Sequence, residues 1–124
     1  MVPTDFKKMV TLYKRDPVTS EFLLQNEQKQ PVKDLGEFLF RVPTARDQLR
    51  IEIDRQALLS PIGDPKFVTE NLFIFAQMHA IIPRQVAEAP KDWNWEQVDQ
   101  DHYLAVYETY LEGLAEVRGK NGIA

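Results

Sequence analysis

The chain contains no cysteine, which removes disulfides, thiolate nucleophiles and cysteine-ligated zinc together and fits a reducing cytoplasm. Serine occurs only at Ser20 and Ser60, and neither stands in a G-x-S-x-G elbow. The five glycines are scattered and form neither a phosphate-cradling loop nor a dinucleotide fingerprint. Long apolar runs are missing too. The longest, Leu72 to Gln77 and Ala80 to Pro83, are far too short to span a membrane, and Met1 to Lys8 lacks the apolar stretch of a secretory signal.

What remains is an ordinary globular balance, 44% hydrophobic and 27% charged over 124 residues. That is room for one domain, residues 1–124, able to bury roughly 65% of the surface its unfolded form exposes. The net charge of −4 is unevenly spread. Residues 1–50 hold nine bases and seven acids, whereas residues 51–124 hold six bases and twelve acids. From Asp92 to Val117 there are seven acids and no base. An acidic C-terminal third repels phosphate backbones and favours a basic protein partner. The basic cluster Lys7-Lys8 and Lys14-Arg15 is too small to imply nucleic-acid binding. Trp93, Trp95 and the nearby tyrosines lie in the acidic segment, where packing accounts for them better than base stacking.

The patterning predicts an α+β fold, mostly α-helical with three to four helices and a short β-hairpin near the N-terminal third. Residues 4–14 read as a short helix, with Thr4 as N-cap and Phe6, Met9, Val10 and Tyr13 at i, i+3, i+4 and i+7. Glu21-Phe-Leu-Leu24 and Glu37-Phe-Leu-Phe-Arg-Val42 are the two best strands, with Phe38, Phe40 and Val42 on one face and Arg41 on the other. The polar stretch Gln25 to Gly36 reads as the connection between them. Pro43 ends the second strand, and Thr44-Ala-Arg-Asp47 is a capping-box variant opening a helix from Ala45 to about Ser60. Leu49, Ile51 and Ile53 also alternate as a strand would, but the cap and the helix formers that follow weigh against it.

Ser60 to Pro65 is a loop, with Asp64 capping the next helix and Pro65 at its first position. Residues 66–82 are apolar nearly all round, Phe73 and Met78 included. Such a helix is either central or buried on one side by a partner, so Phe73 and Met78 are candidate binding residues. Pro83 kinks or ends it. The last helix, Asp101 to Arg118, puts Tyr103, Leu104, Val106, Tyr107, Tyr110, Leu111, Leu114 and Val117 on one arc. Phe40, Leu111 and Leu114 are expected in the core. Asp101, Glu108, Glu112 and Glu116 fall on the far side and Gly119 supplies the stop. The row Glu108, Glu112, Glu116 is either a solvated face or an electrostatic docking strip.

Two readings of Asp99-Gln-Asp101-His102 compete. It could serve a small hydrolase or metal site, or its acids could simply complement the dipole of a first helical turn. With no other catalytic constellation, the sequence reads as a non-enzymatic protein-binding molecule without metal or cofactor.

Gly36-Glu-Phe-Leu-Phe-Arg-Val-Pro-Thr-Ala-Arg-Asp47, followed by a helix rich in Arg and Glu, resembles the tail assembly chaperones of long-tailed bacteriophages. A second echo is Ala89-Pro-Lys-Asp-Trp93 leading into Tyr103, Tyr107 and Tyr110. The likeness covers roughly residues 36–60 and 86–118. It implies a host-cytoplasmic protein, absent from the finished virion, that binds tape measure and tail tube proteins during tail morphogenesis. Self-association or tape-measure binding would suit the apolar helix at 66–82, and the acidic face would contact a basic partner. The positions carried over are Gly36, Arg41, Pro43, Thr44 and Asp47, with structural rather than binding roles. The rival within the binding class is a small helical adaptor or inhibitor of phage or plasmid origin with an acidic docking face.

Overall fold

The computed structural model describes residues 5–16, 24–25 and 28–120. Residues 5–13 show no strict alternation, being apolar at Phe6, Met9, Val10, Leu12 and Tyr13, yet they form an extended strand, β1 (Asp5–Tyr13). It pairs antiparallel with β4 (Pro31–Arg41), Phe6 opposite Phe40 and Lys8 opposite Phe38. Between them lies a minimal antiparallel pair, β2 (Leu24–Gln25) and β3 (Gln28–Lys29). The second half of the chain supplies α1 (Ala45–Leu59), α2 (Glu70–Gln85), β5 (Val86–Glu88) and α3 (Gln100–Lys120). β5 joins the free edge of β4, giving a three-stranded sheet of order β1-β4-β5. The fold is α+β and mostly helical.

The helix expected over 4–14 is therefore a strand; its cap, Thr4, lies outside the described residues. Phe6 and Val10 fit both a helical i, i+4 pair and every second inward place of a strand. Lys8 hid the alternation. It points to the same side as Phe6 and Val10, its stem among apolar groups, and sends its ammonium to Glu116 at 2.7 Å. The expected hairpin is also re-partnered. Residues 37–41 belong to β4, whose mate is β1, while Glu21 to Leu23 lie outside the described residues. Residues 31–36 are strand rather than connection. Proline is tolerated as the first strand residue, and two register shifts, beside Val10/Thr11 and Leu12/Tyr13, blur the period-2 signal there.

At the corner after β4, the capping box forms. The Thr44 N–H donates to Asp47 Oδ2 at 2.9 Å and the Asp47 N–H to Thr44 Oγ1 at 3.2 Å. Asp64 and Pro65 open only a single 3-10 turn, Pro65–Phe67. Val68 and Thr69 then run extended, and α2 starts afresh with Thr69 Oγ1 accepting from the Leu72 N–H at 3.1 Å. So α2 begins five residues later than the start at Pro65 that the sequence suggests. It also outlasts Pro83 by two residues, because a proline in the last turn deletes one hydrogen bond without preventing the chain from finishing that turn. Nor does Gly119 stop α3, which continues through it to Lys120.

Elements meet on one face of the sheet. α3 lies across β1, α2 packs on α3, and α1 meets the rest chiefly through α2. The buried cluster joins Val10, Phe38 and Phe40 of the sheet to Met78, Ile81 and Ile82 of α2, to Tyr103, Val106, Tyr110 and Leu114 of α3, and to Ile51 of α1. Phe40 and Leu114 are buried as expected, but Leu111 is 42% exposed. It sits at the margin of the apolar arc and faces a hollow shared with α1 and Arg118. Burial pushes the Tyr103 and Tyr110 hydroxyls up to about 12.

Two helix N-termini carry acid-sensitive caps. The Thr44 N–H holds the Asp47 carboxyl below its usual value, and the His102 N–H does the same for Asp99. Their contribution to stability is full above the unfolded value of 3.8 and is lost as the pH falls through the depressed folded values. Replacing Asp47 with Asn should therefore flatten the acid limb of a plot of thermal midpoint against pH below about 4. An unchanged limb would show that the cap does not titrate with the fold.

Candidate protein-binding surface

A wide hollow opens where α1 ends and α2 begins. It is an open cleft of about 860 Å³ in which Leu59 of α1, Gly63 and Pro65 of the turn, Val68, and Phe73 of α2 alternate with polar Gln56, Ser60, Thr69 and Glu70. Gly63 adopts a positive φ of 84°, which lets the chain reverse between the two 3-10 turns. The turn carries Phe67, 61% exposed, beside the cleft residues Pro65 and Val68. Phe73 is itself partly exposed, with the Arg55 guanidinium 4.7 Å from its ring centroid. That guanidinium is fixed by Gln77 Oε1 at 2.6 Å and by Glu52, so the ring is braced from behind. The cleft thus presents a braced aromatic ring and aliphatic groups to solvent beside a polar margin.

Of the two apolar candidates from the sequence, only Phe73 is on this surface. Met78 is fully buried between α2 and the sheet and is a core residue. An all-round apolar helix does not show which of its residues face inward, so the two could not be told apart by composition. Leu59 and Val68 escaped notice because they straddle a loop, and only the reversal at Gly63 brings them together.

The acidic row on α3 is placed against the chain's own bases. Arg15 pairs with Glu108 and Lys8 with Glu116, tying β1 and its following residues to α3. Glu112 is exposed beside the same seam. Thus Lys8 and Arg15 of the basic cluster answer Glu116 and Glu108 of the acidic row across 108 and 93 residues of sequence, and reversing all three glutamates would disturb the fold as well as any docking. Glu108→Lys with Glu116→Lys is expected to cost about 1–2 kcal/mol after discounting for solvent screening, whereas Glu112→Lys should leave stability unchanged. Thermal melts of the two variants check this; equal midpoints would mean the seam contributes nothing.

His102 and Asp99 do come together, Nδ1 to Oδ1 at 2.5 Å, but the same oxygen takes the His102 backbone N–H at 2.9 Å. Asp99 thus caps α3. His79 lies elsewhere, stacked on Tyr103 with ring centroids 4.2 Å apart and 3.2 Å from Gln100 Oε1. Among the described residues no three His, Asp or Glu side chains are grouped to hold a metal ion, and no helix is long and apolar enough to cross a membrane.

The motif residues act on the fold. Gly36 takes φ 113° beside a register shift, with Pro90 so close that a Cβ there would meet its ring. Arg41 is exposed at its side chain while its carbonyl accepts from Gln85 Nε2 at 3.1 Å. Pro43, Thr44 and Asp47 set the corner into α1.

No protein-family model matches the chain, and neither a curated protein nor a solved structure is significantly similar to it.

Proposed function

We propose that this chain is a non-enzymatic tail assembly chaperone of a long-tailed bacteriophage, acting in the host cytoplasm on tape measure and tail tube proteins. The observation that carries the binding half of this reading is the braced cleft between α1 and α2. The strand-to-helix corner around Arg41 to Asp47 and the tyrosine-bearing last helix carry the family half. An apolar side chain projecting from a partner helix is the group that the cleft at Phe73 would take. Glu112, exposed on α3 beside β1 and apart from the cleft, adds a negative charge that favours a basic segment.

Co-expression with a tape measure protein of the same phage tests the reading. Wild-type protein should co-purify with it, and Phe73→Asp should reduce capture at least about tenfold, the loss of one central apolar anchor. Phe73 is partly exposed, so the variant's circular dichroism should stay native. Full capture by Phe73→Asp would move the interface off the cleft. Failure of the wild-type protein to hold any tail protein would discard the chaperone reading in favour of an adaptor or inhibitor.

A further inference from the structure

A separate hollow of about 450 Å³ opens between α2 and the start of α3. It is walled by His79 and Pro83 of α2, Trp95 and Val98 of the segment before α3, and Gln100 and Tyr103 of α3. Trp95 is 40% exposed, much surface to leave in water for a ring that packs well inside. The backbone around it holds it there. The Trp93 N–H donates to the Pro90 carbonyl, the Glu96 N–H to Asn94 Oδ1 and the Val98 N–H to the Asn94 carbonyl, each at 3.0 Å. Trp93 lies 5.6 Å from Trp95 and is itself anchored on buried Phe38 at 5.0 Å. A ring held open by its own fold has little ordering left to lose on binding.

The neighbouring rings meet the Trp95 indole steeply, Trp93 at 85° and Tyr103 at 65°. Tyr103 is covered by stacked His79, whereas no described ring is stacked on Trp95. Among side chains, the face of an indole attracts a cation most strongly. The charge nearby has the matching sign. Residues 92–101 hold Asp92, Glu96, Asp99 and Asp101 and no base, and Glu96 and Asp99, both exposed, adjoin lining residues of the hollow. Of the bases nearest in the chain, Arg84 is paired with Asp54 at 3.7 Å and Lys91 is exposed two residues before Trp93.

An aliphatic occupant would leave these acids unanswered, and a phosphate backbone would be repelled by them. Arginine meets both demands, because its flat guanidinium stacks on a ring and keeps donors for carboxylates. The chain forms the same pairing internally, Arg55 over Phe73 at 4.7 Å. We propose that the hollow at Trp95 is a docking site for an arginine side chain on a basic segment of a partner protein. It shares no lining residue with the cleft at Phe73, so its failure would leave the cleft reading intact.

The chain has only two tryptophans, so two indole N–H resonances report on this region, and Trp95→Leu tells them apart. Titrating the labelled full chain at low salt with the peptide Gly-Arg-Gly-Arg-Gly should move the Trp95 resonance saturably, and Gly-Leu-Gly-Leu-Gly should not. Trp95→Leu stays apolar but loses the π face, and should weaken binding about fivefold, read from the Gln100 and Tyr103 backbone amides. Glu96→Lys, at an exposed position and leaving the ring in place, should weaken it about twofold to threefold. No saturable shift, equal movement with the leucine peptide, or undiminished binding by either variant would overturn the proposal.

Discussion

Phe40→Ala should lower the free energy of unfolding by about 3–5 kcal/mol, the range for emptying a buried phenylalanine site. Phe40 is wholly buried on the central strand. Its ring centroid lies 5.4 Å from that of Phe6, 5.6 Å from Tyr110 and 6.1 Å from Phe38, so one ring joins both long strands to α3. The aromatic neighbours are themselves fixed, Phe38 by the edge of Trp93 at 5.0 Å, and cannot collapse into the space left behind. Set against the roughly 5–15 kcal/mol that a domain of this kind possesses, the substitution removes a large part of the total. Urea denaturation of the two proteins measures it. A difference below about 1 kcal/mol would mean that the sheet and α3 do not share this core.

A comparable loss is expected from filling a space rather than emptying one. Gly113 lies inside α3, where helix propensity alone would make Gly113→Ala stabilising by about 1 kcal/mol. The Phe6 ring occupies the position a Cβ would take, and the Lys8 stem is 3.3 Å from it. Here the glycine is required by the close approach of β1 to the helix. Gly113→Val, which adds two methyl groups beyond the Cβ, should therefore cost about 3 kcal/mol, the upper part of the overpacking range. Gly113→Ala should be destabilising despite its propensity. If Phe6→Ala restores Gly113→Ala towards neutrality in a double-mutant cycle, the clash is the cause. Additive effects would place the strain elsewhere.

These two positions also show what could be read from the chain and what could not. α1 and its cap were legible because Thr44 and Asp47 satisfy each other within four residues. The body of α3 was legible because its apolar spacing repeats for five turns. Local causes leave local signatures. Leu111 was misplaced because periodicity gives the centre of an arc better than its margins, and a margin is buried only if a neighbour covers it. The role of β1 was not legible: its inward face includes Lys8, whose justification is Glu116, more than a hundred residues on. The glycine at 113 did carry a signal, since an isolated glycine in a strong helical pattern usually has a packing reason. Its partner could not be named without the fold. The same holds for the site. Phe73 stood out as an apolar residue on a helix with too many of them, whereas the cleft around it exists only once the turn at Gly63 folds α2 back along α1.

The pairing of β1 with α3 governs when the molecule becomes complete during synthesis. The inner face of the β1–β4 hairpin can form once residue 41 has emerged, but its cover is α3, which begins at Gln100. For that interval Phe6, Phe38 and Phe40 present bare aromatic surface, and closure depends on contacts of long sequence separation that form late and slowly. Arg15 and Lys8 wait for Glu108 and Glu116 in the same way. These pairs close only with the helix in place, so the seam and the aromatic core beneath it are completed together.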